Sequence, residues 1–170
     1  MKKLVWMFVA SAFMFQACEG PSGPPGPAGA DGLIGEVLEV QTSFTAANNY
    51  SADFNIDPPM YDTDKLIGFI RENADNEGND NWEPLPMTFF VNSGTYLFTY
   101  NFSKTGFTIF MDGSGNLANI PASKRIDRIF RFVIIPAAMA SKLNTSDYNA
   151  VMSALNLNES HINTEILELN

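Results

Sequence analysis

Cysteine, histidine and basic residues are scarce in this sequence. Its 170 residues contain one cysteine, Cys18, and one histidine, His161. A lone cysteine cannot form an internal disulfide, and a lone histidine lacks the further histidine or cysteine ligands of a zinc site. The 10 Lys and Arg residues stand against 19 Asp and Glu residues, which gives a formal charge of −9. This negative charge disfavours nucleic acid and anionic membrane surfaces as partners.

Motifs for catalysis are missing as well. Gly113-Ser114-Gly115 lacks the lysine and the following helix of a phosphate-binding loop. His161 lies in a polar tail segment, without the nucleophile-elbow sequence that can accompany a Ser-His-Asp triad. The sequence therefore predicts a protein that is not an enzyme and that binds no dissociable cofactor.

An apolar leader opens the chain. Lys2 and Lys3 precede a run of apolar or small residues over residues 4–15. A run of about 12 residues spans roughly 18 Å as a helix, which is short of the ~30 Å hydrocarbon core of a membrane. Residues 1–17 are therefore predicted to be a signal peptide and not a transmembrane helix. Removing Lys2 and Lys3 leaves 8 basic residues against 19 acidic ones, a charge of −11.

Cys18 stands at the end of the leader, and the sequence there resembles a bacterial lipobox. The resemblance implies cleavage before Cys18 and a covalent lipid on its thiol, although Phe15 and Gln16 replace the usual leucine and small residue. More than one acyl chain would anchor the protein durably, at ~0.8 kcal/mol per buried CH₂. The alternative is an ordinary secretory leader followed by a free cysteine.

A glycine-rich segment with a period of three follows the cysteine. Glycine recurs at six successive third positions: Gly20, Gly23, Gly26, Gly29, Gly32 and Gly35. A collagen triple helix requires this period, because only glycine fits at its crowded axis. We interpret residues 18–37 as the lipid anchor and a collagen-like stalk. The stalk is either a semi-rigid polyproline-II spacer of roughly 50 Å, at ~3.1 Å per residue, or a triple helix that joins three chains as a homotrimer. The spacer is favoured, since only the first three triplets carry proline.

Residues 38–170 form the predicted domain, and about 135 residues suffice for one substantial core. Aromatic residues make up 12% of the sequence, including 14 Phe, which favours a dense β-rich core. Alternating polarity and apolar runs predict strands over residues 38–44, 50–56, 65–71, 87–91, 95–102, 106–111 and 126–135. The first two strands are expected to pair with each other, and the third is expected to be central. The predicted fold class is all-β, an antiparallel β-sandwich of about 6–8 strands with one short C-terminal amphipathic helix.

The C-terminal helix is predicted from four apolar residues at helical spacing: Tyr148, Val151, Met152 and Leu155. Thr145, Ser146 or Asp147 can cap its N-terminus. We expect this helix to pack on an edge or an end of a sheet. Residues 162–169 suit either a last strand or a short helix.

Two acidic segments are candidate sites. The first surrounds Pro58 and Pro59 and holds four aspartates: Asp53, Asp57, Asp62 and Asp64. In the second, Asp75, Glu77 and Asp80 offer oxygens to calcium, but an EF-hand alignment puts Pro84 where the bidentate glutamate belongs. Paired carboxylates also hydrolyse glycosides. Four aromatic residues are candidates for stacking on sugars: Tyr50, Tyr61, Trp82 and Tyr96. Solvated loops and core packing are the favoured interpretations of these residues.

Several segments together resemble the short-stub collagen-like lipoproteins of Bacteroidota. The resemblance covers the cysteine and the glycines behind it, residues 82–86 (Trp-Glu-Pro-Leu-Pro), residues 130–136 and residues 146–151. It implies a lipoprotein with a small β-rich domain, held in outer-membrane lipid through Cys18. It implies no established activity.

The leading hypothesis is a non-catalytic accessory or binding domain in an envelope protein complex. The sequence is compatible with a domain on the periplasmic side or on the surface side of the outer membrane. A calcium- or glycan-binding surface module is the alternative, and a glycosidase-like hydrolase is the third hypothesis.

Overall fold

The computed structural model describes residues 35–72, 80–140 and 142–164. The predicted signal peptide, Cys18 and the glycines Gly20, Gly23, Gly26, Gly29 and Gly32 lie outside these residues. The described residues form nine strands: β1 (Val37–Thr42), β2 (Ser51–Asn55), β3 (Lys65–Arg71), β4 (Trp82–Pro84), β5 (Met87–Val91), β6 (Gly94–Ser103), β7 (Gly106–Gly113), β8 (Arg128–Ile135) and β9 (Ile162–Asn163). They also form three short α-helices: α1 (Ala122–Arg125), α2 (Ala137–Ala140) and α3 (Tyr148–Ala154).

The strands make two sheets, as an all-β sandwich requires. Sheet A has the strand order β4-β3-β8-β1-β9, and sheet B has the order β2-β7-β6-β5. All neighbours are antiparallel except β1 and β9, which run parallel. Seven strands have five or more residues and match the predicted strands, whereas β4 and β9 have three and two residues. The predicted fold class is confirmed.

The prediction that the first two strands pair with each other is wrong. β1 lies in sheet A between β8 and β9, whereas β2 pairs with β7 in sheet B. The link between them crosses from one sheet to the other. Within this link, Phe44 is fully buried and its backbone N–H donates to the carbonyl of Arg125 at 2.8 Å. Alternating polarity shows which face of a strand is buried but not which strand lies beside it.

β3 is an interior strand, as its apolar residues on both faces predict. It lies between β4 and β8. Leu66 and Ile70 are buried in the core between the sheets. Phe69 lies on the opposite face of sheet A, with its ring centroid 5.3 Å from that of Tyr148 in α3.

Aromatic rings fill the space between the two sheets. The ring of Phe98 lies 5.2 Å from that of Phe44 and 5.6 Å from that of Phe130, in the tilted and edge-on geometry that aromatic pairs prefer. β6 carries the apolar face that its alternation predicts, because Tyr96 and Phe98 are buried in this core. Phe102, near the end of β6, is 46% exposed.

The C-terminal segment covers the outer face of sheet A. Tyr148, Val151 and Met152 of α3 are buried together with Val37 and Val133 of the sheet. The prediction that the helix packs on a sheet edge or end is therefore wrong. The physical reason is that β3 and β8 are apolar on both faces, so the outer face of sheet A also has to be buried.

α3 begins at one of the three cap positions that the sequence offers. The Oδ1 atom of Asp147 accepts a hydrogen bond from the backbone N–H of Ala150 at 3.0 Å. Within the tail that suits either a strand or a helix, Ile162 and Asn163 form β9 beside β1. Residues 165–170 lie outside the described residues.

Gly35, the sixth glycine of the repeat, is packed inside the domain. A Cβ atom at this position would lie 2.9 Å from Leu155 Cδ1 and 3.1 Å from the carbonyl oxygen of Ile134. β1 begins two residues later at Val37, which is fully buried. The packing around Gly35 therefore accounts for a glycine there independently of the three-residue period.

Candidate functional site

The second acidic segment is only partly described. Asp75 and Glu77 of the candidate calcium loop lie outside the described residues. Asp80 accepts a hydrogen bond from the guanidinium of Arg71 at 3.4 Å, and Glu72 forms an ion pair with Arg128 at 2.5 Å. In residues 35–72, 80–140 and 142–164, no three or more His, Cys, Asp or Glu side chains are grouped to hold a metal ion.

The aspartates of the first acidic segment do not converge on one point. Asp53 lies on β2 and accepts from the hydroxyl of Thr108 at 2.6 Å. Asp62 forms an exposed ion pair with Lys104 at 2.6 Å. Asp64 accepts a hydrogen bond from the backbone N–H of Tyr61 at 3.3 Å. These three carboxylates have separate local contacts, and Asp57 is exposed without a side-chain contact among the described residues. The contacts do not build a pair of catalytic carboxylates.

The four candidate sugar-stacking aromatics do not form a common surface. Tyr96 is fully buried, and Tyr50 packs against the core between the sheets. The ring of Trp82 stacks on that of Tyr148 with a centroid distance of 5.2 Å. Tyr61 is 51% exposed and stands apart from this stack on the loop before β3. The favoured interpretation, that these rings serve packing, holds for Tyr50, Trp82 and Tyr96.

His161 takes part in a local turn. The residues Glu159–His161 form a 3₁₀ turn, and the Nδ1 atom of His161 lies 3.2 Å from the backbone nitrogen of Asn158, which donates to it. The carboxamide of Asn158 caps the same turn by accepting from the backbone N–H of Ser160 at 3.0 Å. This arrangement gives the histidine a structural role in the turn.

A buried arginine cluster on the outer face of sheet A is the strongest polar feature that the sequence did not indicate. Arg131 of β8 is 5% exposed. Its Nε donates to Glu39 of β1 at 2.7 Å, and its two terminal nitrogens donate to Glu159 at 2.9 and 2.8 Å. One of these nitrogens also donates to the hydroxyl of Tyr148. The guanidinium carbon lies 4.3 Å from the ring centroid of Trp82, a cation–π contact.

The electrostatics of this cluster keep the guanidinium charged and Tyr148 protonated. Burial alone would lower the pKa of Arg131, but hydrogen bonds from Arg131 to Glu159, Glu39 and Tyr148 raise that pKa above its ordinary value. Burial raises the pKa of Tyr148, and the hydrogen bond and charge of Arg131 partly offset this rise. Because β1, β8, α3 and the turn at Glu159 all meet at one guanidinium, the cluster fastens the C-terminal segment to sheet A.

A cavity of about 350 Å³ lies beside this cluster, between β4 and the start of α3. Trp82 and Tyr148 line it together with the carboxylates of Asp80, Glu83 and Asp147. Asp80 is paired with Arg71, and Asp147 caps α3. Two of its three carboxylates therefore already serve the fold.

A second polar surface lies on the outer face of sheet B. The inward residues of β2, β6 and β7 are in the core between the sheets, so the alternate residues of these strands point outward. Five of these outward residues, which we call the polar face, are neighbours at one end of the sheet: Asp53, Asn55, Asn101, Ser103 and Thr108. A cavity of about 310 Å³ lies over them.

The strand register fixes how the polar face is arranged. Asp53, Thr108 and Asn101 form one row across β2, β7 and β6. Asn55 and Ser103 stand in the next row, on either side of Gly106. Gly106 is required here, because a Cβ atom would lie 2.5 Å from the carbonyl oxygen of Phe54.

The two carboxamides of the polar face are not used by the fold. Among the described residues, the side chains of Asn55 and Asn101 have no hydrogen-bond partner, and Asn101 is exposed. A carboxamide has two donor hydrogens and an acceptor oxygen. The polar face therefore offers donors and acceptors to a ligand without first breaking contacts within the domain. Asp53 was a candidate from the sequence, whereas the other four residues of the polar face were not. For Asn55 and Asn101, the signal is asparagine within strands that are otherwise rich in Thr, Phe and Ile.

None of the helices formed by the described residues combines the length and the apolar character that crossing a membrane demands. In comparisons with known proteins, no protein-family model, no curated protein and no solved structure matches this chain.

Proposed function

We propose that this chain is a lipid-anchored outer-membrane lipoprotein whose β-sandwich is a non-catalytic binding domain. The observation that carries the proposal is the order of parts along the chain. An apolar leader ends at Cys18, glycines with a period of three follow, and the last of them, Gly35, stands two residues before an interior strand of sheet A. A lipid on Cys18 would thus be joined to an interior strand of sheet A by a short glycine-rich connection.

The unequal outer faces of the two sheets support the binding role. The outer face of sheet A is covered by α3 and the segment behind it. The outer face of sheet B is open to solvent, since Asp53, Asn101 and Phe90 are exposed there. Phe90, a large apolar residue, is 78% exposed. We propose that this open face, and not the covered one, contacts a partner in the cell envelope.

The anchor is tested by replacing Cys18 with alanine in the full chain. Bacteria that express the chain are fed radiolabelled palmitate, and the protein is partitioned between detergent and water. We expect label and detergent partitioning for the parent chain, and neither for Cys18→Ala. Circular dichroism of the variant should still show a folded β-domain, because Cys18 precedes the described domain. An unlabelled, water-soluble parent chain would refute the anchor.

The binding role is tested separately by crosslinking in outer membranes solubilised with mild detergent. We expect a reproducible crosslinked partner, or a trimer of the chain if the glycine segment forms a triple helix. Gly26→Ala distinguishes these two outcomes, because it would disrupt a triple helix and leave a spacer and its partner unaffected. Recovery of an uncrosslinked monomer alone would refute the role in an assembly.

A further inference from the structure

We infer that the polar face of sheet B binds a neutral glycan, with one or two sugar rings over the cavity. This inference rests on the proposed binding role and adds the site and the chemical class of the ligand. It draws on the hydrogen-bonding groups of the polar face, on their place in the strands and on the near absence of charge.

The hydrogen-bonding groups suit a ligand with several neighbouring hydroxyls. Asn55 and Asn101 each present a donor and an acceptor, and neither has a partner among the described residues. The Oδ1 atom of Asp53 accepts from the hydroxyl of Thr108, and its other carboxylate oxygen is left as an acceptor for a ligand. A sugar hydroxyl both donates and accepts, so adjacent hydroxyls of one ring can bond a carboxamide and a carboxylate in the same row.

The placement of these residues runs against the preferences of β-strands. Asp53 and Asn101 lie within β2 and β6, although aspartate and asparagine are depleted from strands. The fold obtains no hydrogen bond from the amide of Asn101 in return. Positions that break a local folding rule without a structural gain are expected at functional sites.

The charge of the polar face distinguishes a neutral glycan from other ligands. Lysine and arginine are absent from the residues that line the cavity, so phosphate, sulfate and carboxylate groups have no cation to pair with. Asp53 is the sole carboxylate among those lining residues, whereas calcium requires six to eight oxygens.

The size of the cavity agrees with a short stretch of sugars. Its volume of about 310 Å³ is at the lower end of the ~300–1,000 Å³ of small-molecule sites. A long glycan would thus place a short stretch of its chain in the cavity.

The test is a binding titration with defined hexasaccharides. The probes are neutral hexasaccharides of glucose, xylose, mannose and galactose, with a sulfated and a uronic-acid hexasaccharide for comparison. The protein is the chain from residue 18 with Cys18→Ser, labelled with ¹⁵N. We expect at least one neutral probe to bind and to shift the side-chain NH₂ signals of Asn55 and Asn101.

Substitutions on the polar face supply the matched controls. Asn101→Ala and Asn55→Ala should each weaken binding by about tenfold, as expected for the loss of one or two hydrogen bonds in a site. Thr88→Ala, at an exposed position on β5 of the same sheet, should leave binding unchanged. Asn101→Asp keeps the shape of the side chain but removes its NH₂ donor, so it should also weaken binding. It replaces Asn101→Ala in the test if that variant does not fold.

The outcomes separate this inference from the proposed function. No binding of any neutral hexasaccharide, tighter binding of the charged probes, or binding that Asn55→Ala and Asn101→Ala do not weaken would each overturn the glycan site. A lipidated chain that crosslinks to a partner protein but shows one of these results would still support the proposed function. An unlipidated chain that binds a neutral hexasaccharide at the polar face would refute the lipid anchor of the proposed function and support the glycan site.

Discussion

Replacing Arg131 with methionine should lower the free energy of unfolding by about 3 kcal/mol. Methionine fills much of the same volume, so the apolar burial at this 5% exposed position changes little. The substitution leaves Glu39 and Tyr148 without their partner on the outer face of sheet A. Removing one member of a buried ion pair costs about 3–5 kcal/mol. We expect a cost at the lower end of this range, because the side chain of Glu39 is 24% exposed and water can partly replace its lost partner.

The two glutamates that contact Arg131 should contribute unequally. The side chain of Glu159 is 76% exposed, and exposed ion pairs contribute about 0–1 kcal/mol. Glu39 is more buried, so its coupling to Arg131 should be the larger of the two. Double-mutant cycles that combine Arg131→Met with Glu39→Gln or with Glu159→Gln measure these couplings directly.

The assay is urea unfolding of the chain from residue 18 with Cys18→Ser, followed by near-ultraviolet circular dichroism of the aromatic residues. Arg131→Lys is the control, because it keeps the charge but loses the planar fork that bonds two partners. The free energy of unfolding of Arg131→Lys should lie between those of the parent chain and Arg131→Met. Equal stability of Arg131→Met and the parent chain, or a larger coupling for Glu159 than for Glu39, would refute the reasoning.

Three further predictions concern packing, capping and pH. Gly35→Ala should lower the free energy of unfolding by about 1–2 kcal/mol through overpacking, whereas Gly29→Ala should leave the urea midpoint of the domain unchanged. Equal effects of the two would contradict the packing of Gly35. Asp147→Ala should cost about 1 kcal/mol through loss of the α3 cap, and Asp147→Asn should restore most of it in the same assay. Burial raises the pKa of Tyr100 and of Tyr148 in the folded state, so their contribution to stability is complete below pH about 10 and is lost as pH rises further. Urea unfolding between pH 8 and 11 should show this loss of stability, and Tyr100→Phe or Tyr148→Phe should make the loss smaller. An unchanged pH dependence in both variants would show that other groups cause the loss.

Side-chain periodicity predicted the strands that have one or two clearly apolar faces. The strand predicted over residues 65–71 has the same bounds as β3, because its alternate residues are buried on opposite faces of sheet A. β4 and β9 were not predicted, since three and two residues are too few to show a period. The partner of β1 was also predicted wrongly, because its pairing with β8 joins residues that are far apart in the sequence.

The polar clusters depended on contacts that one local stretch of sequence does not contain. Arg131 was visible as the one charged residue within an apolar run, but its partners Glu39 and Glu159 are 92 and 28 residues away. Asp53 and Thr108 meet only because β2 and β7 are neighbours, at a separation of 55 residues. The association of Asp53 with Thr108 and of Arg131 with Glu39 follows from strand order, and that of Arg131 with Glu159 follows from the packing of the C-terminal segment on sheet A.

The interior position of β1 in sheet A, beside β8, has a mechanical consequence. If a tether were attached ahead of Gly35, as proposed, a pull directed along β1 would load its pairing with β8, which extends over six residue pairs from Val37↔Val133 to Thr42↔Arg128. Such a force shears the two strands past each other, so their hydrogen bonds are loaded at the same time and do not open one after another. Tension in this direction would therefore have to break the β1–β8 pairing as a unit before the domain could unfold from its N-terminus.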